Sequence, residues 1–210
     1  SGPRITAEDA VSGVKALYYK LDGASSWTVY SKPFALEEGE HTVSYYAEDR
    51  AGNASAVKTF TYKADFTDPE GEITSPPSGN YYQRTLEAEV TCSDALSGVA
   101  RVTWFADGAP LRAGPEHKAT LELSRLSDGE HSLQAEIKDS AGRKRLTAPV
   151  LFYKDTTPPT VEVTEPTGEN WVRGMLMIKA DIRDNLKVGR ASFYVDGRKI
   201  DERTSPPWTA

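Results

Sequence analysis

Three phrases recur along this chain at intervals of roughly 85 to 90 residues, and that self-similarity constrains the fold more than any single residue does. The first is Asp-x-x-Ser-Gly-Val, as Asp9-Ala10-Val11-Ser12-Gly13-Val14 and again as Asp94-Ala95-Leu96-Ser97-Gly98-Val99; a weaker third copy is Asp184-Asn185-Leu186-Lys187-Val188-Gly189. The second is an Asp-Gly pair after an aromatic segment, at Asp22-Gly23, Asp107-Gly108 and Asp196-Gly197. The third runs from Gly39-Glu40-His41 to Asp49-Arg50-Ala51-Gly52-Asn53, and from Gly129-Glu130-His131 to Asp139-Ser140-Ala141-Gly142-Arg143. An interval of this size is that of one small domain, since a seven-strand sandwich takes about 100 residues.

Within each copy the hydrophobic period is two, which is the signature of strands. His131, Leu133, Ala135, Ile137 and Asp139 share one face, with Ser132, Gln134, Glu136 and Lys138 on the other. His41, Val43, Tyr45, Ala47 and Asp49 repeat the pattern, and Leu86, Ala88, Val90 and Cys92 alternate likewise. No window of helical period extends beyond two turns. Many short strands with regular turns predict an all-β fold, and the Asp-Gly pairs predict tight hairpins between them.

Aligning the copies predicts three units. Residues 66–155 carry a full set of strands: A at 72–75, B at 86–93, C at 100–106, a short strand near Leu111, E at 119–123, F at 131–139 and G at 146–153. Residues 1–65 start in strand B at 4–8 and lack strand A. Residues 156–210 supply A at 160–164, B at 176–183 and C at 191–195, and stop where E would begin. Thr67-Asp68-Pro69 and Asp155-Thr156-Thr157-Pro158-Pro159 read as short stiff linkers. The start at Ser1-Gly2-Pro3, without Met, reads as a mature form or a piece of a longer protein. The alternative is that the incomplete end units are completed by strands from other chains.

Composition narrows the class of function. The formal charge of -6 and the absence of any basic stripe argue against nucleic acid, since Arg143-Lys144-Arg145 is the densest basic run. One cysteine, Cys92, excludes an intrachain disulfide and a cysteine-based zinc site; its place on the inward face of strand B reads as a small buried group. No stretch approaches the ~20 apolar residues of a membrane span, so no membrane insertion is expected. Four Trp, ten Tyr and six Phe supply packed cores of the kind disordered chains lack.

These motifs resemble the bacterial immunoglobulin-like repeats that occur in tandem in surface proteins, adhesins and S-layer-type proteins, and beside catalytic domains in secreted glycoside hydrolases and proteases. The residues that carry the resemblance are Ser12-Gly13-Val14 through Asp22-Gly23, Gly39 through Asp49, Ala51-Gly52-Asn53, and Asp155 through Pro159. The resemblance implies tandem Ig-like Greek-key β-sandwich domains, an extracellular, cell-surface or periplasmic setting, and a spacer, stalk or interaction role. Its partners would be other domains of the same parent protein, with a further protein or a glycan as alternatives. Two departures stand out: Arg143 occupies the place of Asn53, and Lys187-Val188-Gly189 replaces Ser-Gly-Val.

Candidate sites follow from the same alignment. His41 and His131 fall at equivalent positions at the start of strand F, where an imidazole can bond across the sandwich corner; with His117 they are the only histidines. There is no Gly-x-Ser-x-Gly elbow, His-Glu-x-x-His helix or phosphate-cradling glycine loop. The chain is therefore read as non-catalytic, needing no cofactor. Strands B and F run the same way and A runs opposite, so the ends of B and F and the linker before A meet at one pole. In the second copy that pole holds Asp94, Asp139 and Asp68, three carboxylates suited to Ca²⁺. Each also precedes a turn, where Asp is favoured for accepting backbone N–H bonds, and Arg143 is near enough to neutralise the group. Tyr81, Tyr82 and Trp171 occupy matching places before strand B and could stack on a sugar; matched placement equally suits core packing. A spacer or adhesin-type segment is the leading expectation. The alternatives are a glycan- or protein-binding accessory module of a secreted enzyme, and an assembly unit that exchanges strands.

Overall fold

A computed structural model describes residues 4–168, 171 and 173–210. Every regular element in it is a β-strand. The repeat at the centre of the chain is a sandwich built from β5 (Glu70–Ser75), β6 (Asn80–Tyr82), β7 (Thr85–Ser93), β8 (Val99–Ala106), β9 (Ala109–Gly114), β10 (Lys118–Glu122), β11 (Gly129–Asp139), β12 (Lys144–Leu146) and β13 (Val150–Lys154). One sheet has the order β10-β7-β5. The other runs β6-β13-β11-β8-β9, with β12 also on β11. The chain crosses between sheets after β5, β6, β7, β9 and β10, which gives the Greek-key, immunoglobulin-like arrangement.

The core lies between the two sheets and follows the alternation in the sequence. Leu86, Ala88, Val90, Leu121 and Leu123 come from the first sheet; Val102, Trp104, Leu133, Ala135, Ile137 and Phe152 come from the second. Along β11 every odd residue from His131 to Asp139 is buried. The two layers come close at Gly71, where a Cβ would stand 2.4 Å from Ile137 Cδ1 and 2.7 Å from the Thr91 carbonyl. Cys92 is half-buried against this core, and desolvation raises its thiol pKa. Asp107-Gly108 forms the two-residue turn between β8 and β9, with φ of 49° and 78°, the doubly left-handed geometry that Asp-Gly favours.

The expected strand G is interrupted. Pro149 has no N–H to give the ladder, and the sheet edge splits into β12 and β13 around it. Buried Thr147 bridges the gap: its Oγ1 accepts the Ala135 N–H at 3.0 Å, and its own N–H reaches the Ala135 carbonyl at 3.0 Å.

The first repeat is one sheet, β1 (Val14–Leu21), β2 (Thr28–Val29), β3 (Gly39–Asp49) and β4 (Lys58–Ala64), in the order β2-β1-β3-β4. No strand forms at 4–8, contrary to the sequence reading. Strand B of the central repeat is held between β5 and β10, and neither neighbour has a counterpart among the described residues of the first repeat. Without a facing layer, only Val43 of β3 is fully buried, although Ile5 and Leu36 tuck beneath the sheet.

In the third repeat, β14 (Thr160–Glu165) pairs with β15 (Lys179–Arg183), and β16 (Ala191–Val195) with β17 (Arg198–Arg203). Strand B begins at Lys179 instead of Leu176, which is exposed. Residues 208–210 already pair with 178–180, with Ala210 and Ile178 exchanging bonds of 2.9 and 2.8 Å, so the first residues of strand E are in place. No helix is long and apolar enough to cross a membrane.

Candidate functional site

The pole where β7 and β11 end is built from turn chemistry. Asp94 follows β7, and its Oδ1 accepts the N–H groups of Ser97 at 2.8 Å and Gly98 at 2.7 Å, closing the Ser-Gly-Val turn. Asp9 does the same for Ser12 and Gly13 at 2.7 and 2.8 Å, and Asp184 for Leu186 and Lys187 at 2.9 and 2.8 Å. The first two copies are thus one turn, capped by one carboxylate oxygen, while the third keeps the capping Asp184 but bonds two and three residues on, without the left-handed glycine. Asp139 ends β11 and is 1% exposed. Its Oδ1 accepts the N–H groups of Gly142 at 2.6 Å and Arg143 at 2.8 Å.

The third carboxylate at this pole is Asp65, immediately after β4. One oxygen from each of Asp65, Asp94 and Asp139 lies within 4.8 Å of the others. Asp65 Oδ2 accepts the Ser97 N–H at 3.1 Å, a proton that Ser97 shares with Asp94, so the first linker is tied directly to the central repeat. The Ser97 side chain, then the Thr67 and Ser97 amides, hold the Asp65 pKa below the usual carboxylate range in spite of desolvation. Asp68 does not join them: it is exposed and takes the Arg143 guanidinium, Nε to Oδ1 at 2.7 Å. Strand direction points to Asp68 as the linker carboxylate at this pole; in the structure Asp68 pairs with Arg143, and Asp65 stands with Asp94 and Asp139. The signal for Asp65 was available in the repeat: Asp65 follows Ala64 as Asp155 follows Lys154, and Ala64 and Lys154 pair with Gly39 and Gly129 in the same register.

A second carboxylate on each repeat grips the linker. Glu38 Oε1 accepts the Phe66 N–H at 3.0 Å and the Thr67 hydroxyl at 2.5 Å. At the equivalent place Asp128 accepts the Thr156 N–H and the hydroxyls of Thr156 and Thr157, each at 2.9 Å. The Thr156 amide leads the contacts that lower Asp128 to about 2, against its desolvation. Asp155 N–H bonds to the Tyr82 carbonyl at 2.9 Å. Sequence reasoning passed over Glu38 and Asp128, although both directly precede Gly-Glu-His.

The histidines sit as expected for corner residues. His41 Nδ1 lies 2.9 Å from Asp22 Oδ2 and its Nε2 lies 2.8 Å from the Glu37 carbonyl. The matching distances for His131 are 2.6 Å to Asp107 and 2.8 Å to the Ser127 carbonyl. Each therefore ties strand F to the Asp-Gly turn. Bonding to Asp22, then to the Glu37 carbonyl, raises the His41 pKa; His41 in turn lowers Asp22.

The aromatic candidates separate. Tyr81 stacks on Tyr153 with centroids 4.9 Å apart, and Tyr82 packs edgewise on Phe152. Both line a groove with Thr156, Pro158, Asp184 and Arg190. Trp171 is fully exposed and is not part of that lining.

A family model described as a bacterial Ig domain matches residues 69–135 and again 159–210, more than half of the chain. The chain belongs to that bacterial Ig family. A second model, described as Fn3 associated, matches residues 5–62, the stretch that here forms a single sheet. No curated protein matches the chain. Among solved structures it is similar to the fibronectin(III)-like modules of Clostridium thermocellum CbhA, at 17% identity over 70% of this chain and 82% of that one, with a TM-score of 0.42. It is also similar to the D00-D0 domain of intimin, at 13% identity over 70% and 88%, with a TM-score of 0.27. Bacterial Ig domains are generally non-catalytic and are typical of surface or secreted protein modules.

Proposed function

We propose that this chain is a non-catalytic structural segment of an exported bacterial protein, holding the parts on either side of it at a set spacing and angle. The observation that carries this reading is the grip on both linkers. A free linker would leave its backbone to water, yet here Glu38 and Asp128 bind linker amides and hydroxyls from the repeat behind; Ser97 binds Asp65 from the repeat ahead, and Tyr82, in the same repeat as Asp128, binds Asp155. Bonds to an ionised carboxylate are shorter and stronger than bonds between neutral groups. Pro69, Pro158 and Pro159 remove further freedom from the same stretches. A first linker held from both sides and a second bound closely to the repeat before it suit a rod. The family, typical of surface and secreted protein modules, supports such a setting for the rod.

Small-angle scattering tests the reading. The parent chain is expected to give a narrow, extended distance distribution, and Glu38→Gln with Asp128→Ala to broaden and shorten it. A parent chain that already scatters as freely jointed beads would sink the spacer role.

A further inference from the structure

We propose that Asp65, Asp94 and Asp139 form a calcium site at the junction between the first and second repeats. Three carboxylates near one another would not alone make a site, since acidic turns are common. The deciding feature is Asp139 Oδ2. It is buried, and among the described residues it has no hydrogen-bond partner. An unsatisfied buried polar atom is costly, and an anionic one more so.

The first repeat shows how this oxygen is normally served. There Asp49 Oδ1 accepts the Asn53 N–H at 2.8 Å, and Asp49 Oδ2 accepts the Asn53 side-chain amide at 2.9 Å. In the second repeat Arg143 stands in the place of Asn53. Its backbone N–H still serves Asp139 Oδ1, but its guanidinium leaves for Asp68. The exchange removes the neutral donor that closes the pocket and directs the positive charge elsewhere. None of the three aspartates pairs with a Lys or Arg among the described residues. What remains is a buried Asp139 carboxylate beside two partly buried ones, one oxygen of each lying within 4.8 Å of the others.

The chemistry selects the ion. Ca²⁺ binds oxygens at about 2.3–2.6 Å, so two ligands of one ion can stand up to about 5 Å apart; a spread of 4.8 Å fits. The donors are all hard oxygens, which excludes thiophilic metals. Backbone amides already occupy Oδ1 of Asp94 and of Asp139, so each gives one oxygen, and carbonyls and water complete the six to eight that calcium takes. One ion per chain is expected, because Asn53 already closes the equivalent oxygen of Asp49.

The site goes beyond the spacer reading, since binding is measured on the ion and not on the shape of the chain. Calorimetric titration of chelator-treated protein with CaCl₂ is expected to show one site, and millimolar CaCl₂ to raise the melting midpoint over that in chelator. Asp65→Asn should abolish the binding heat. Arg143→Asn, which changes no ligand, should weaken affinity by about 10- to 100-fold by restoring the amide that closes Oδ2. No binding heat together with an unmoved midpoint overturns the proposal and means that ordered water serves Asp139. Wild-type affinity in Asp65→Asn, or a response to MgCl₂ and none to CaCl₂, overturns it as well.

Discussion

His41 carries a pH dependence whose sign can be worked out from its contacts. Both ring nitrogens face acceptors, Asp22 Oδ2 and the Glu37 carbonyl, so the imidazolium satisfies both and its pKa rises above the ordinary 6.5. A group whose pKa is raised on folding contributes fully below its unfolded value and loses that contribution as pH climbs through the folded one. The first repeat should therefore weaken as pH rises from about 6.5 through the raised His41 value. His41→Gln should flatten that part of the profile, followed by the melting midpoint of the Tyr19–Phe34 cluster fluorescence or by NMR. At the acid end Asp22 behaves in the opposite sense, contributing above 3.8 and losing it below. The residue scale is also where the sequence was most deceptive. Asp68 and Asp65 are three residues apart, and the Arg143 guanidinium takes the first while the second joins Asp94 and Asp139.

At the scale of elements, the alternation of β7 and β11 was legible because each strand has one dry face. Where β11 lies under a second sheet, its odd residues are all buried; where β3 lacks a cover, the same pattern leaves Tyr45 and Ala47 half-buried. Native-state hydrogen exchange should reflect this, with β11 among the slowest-exchanging strands and β3 opening at lower free energy. Equal protection of the two would contradict the one-layer packing of the first repeat. Gly71 sets how closely β5 approaches β11. Gly71→Ala pushes a methyl toward Ile137 and the Thr91 carbonyl and should cost about 1–3 kcal/mol, read as a lower denaturant midpoint at unchanged m-value. Thr147→Val keeps the shape but leaves the Ala135 N–H without its hydroxyl, at a cost of about 1–3 kcal/mol.

For the whole molecule, acid should act on the linkers before it acts on the core. Asp128 is lowered to about 2 by the second linker. Its contribution is complete above 3.8 and is lost as pH falls from there toward 2, the sign expected for a depressed carboxylate. Scattering across that window should show the angle between the second and third repeats loosening while the sandwich strands stay folded by circular dichroism. In Asp128→Ala the loosening should be present at neutral pH already.

The all-β class, the repeat, the turns at Asp-Gly and Ser-Gly-Val and the inward set of β11 were legible along the chain, because period-two burial and left-handed turns are local properties. The sequence placed the three-carboxylate pole at the correct end of the sandwich, since strand direction alone brings the ends of B and F together. The folded chain was needed to show that Arg143 takes Asp68, that Asp139 Oδ2 is left without a donor among the described residues, and that Glu38 and Asp128 clasp the linkers. It also decided that residues 4–8 form no strand. Each of these depends on what another segment offers in space, a guanidinium drawn to Asp68, an asparagine replaced by Arg143, or a neighbouring strand that is not there to pair.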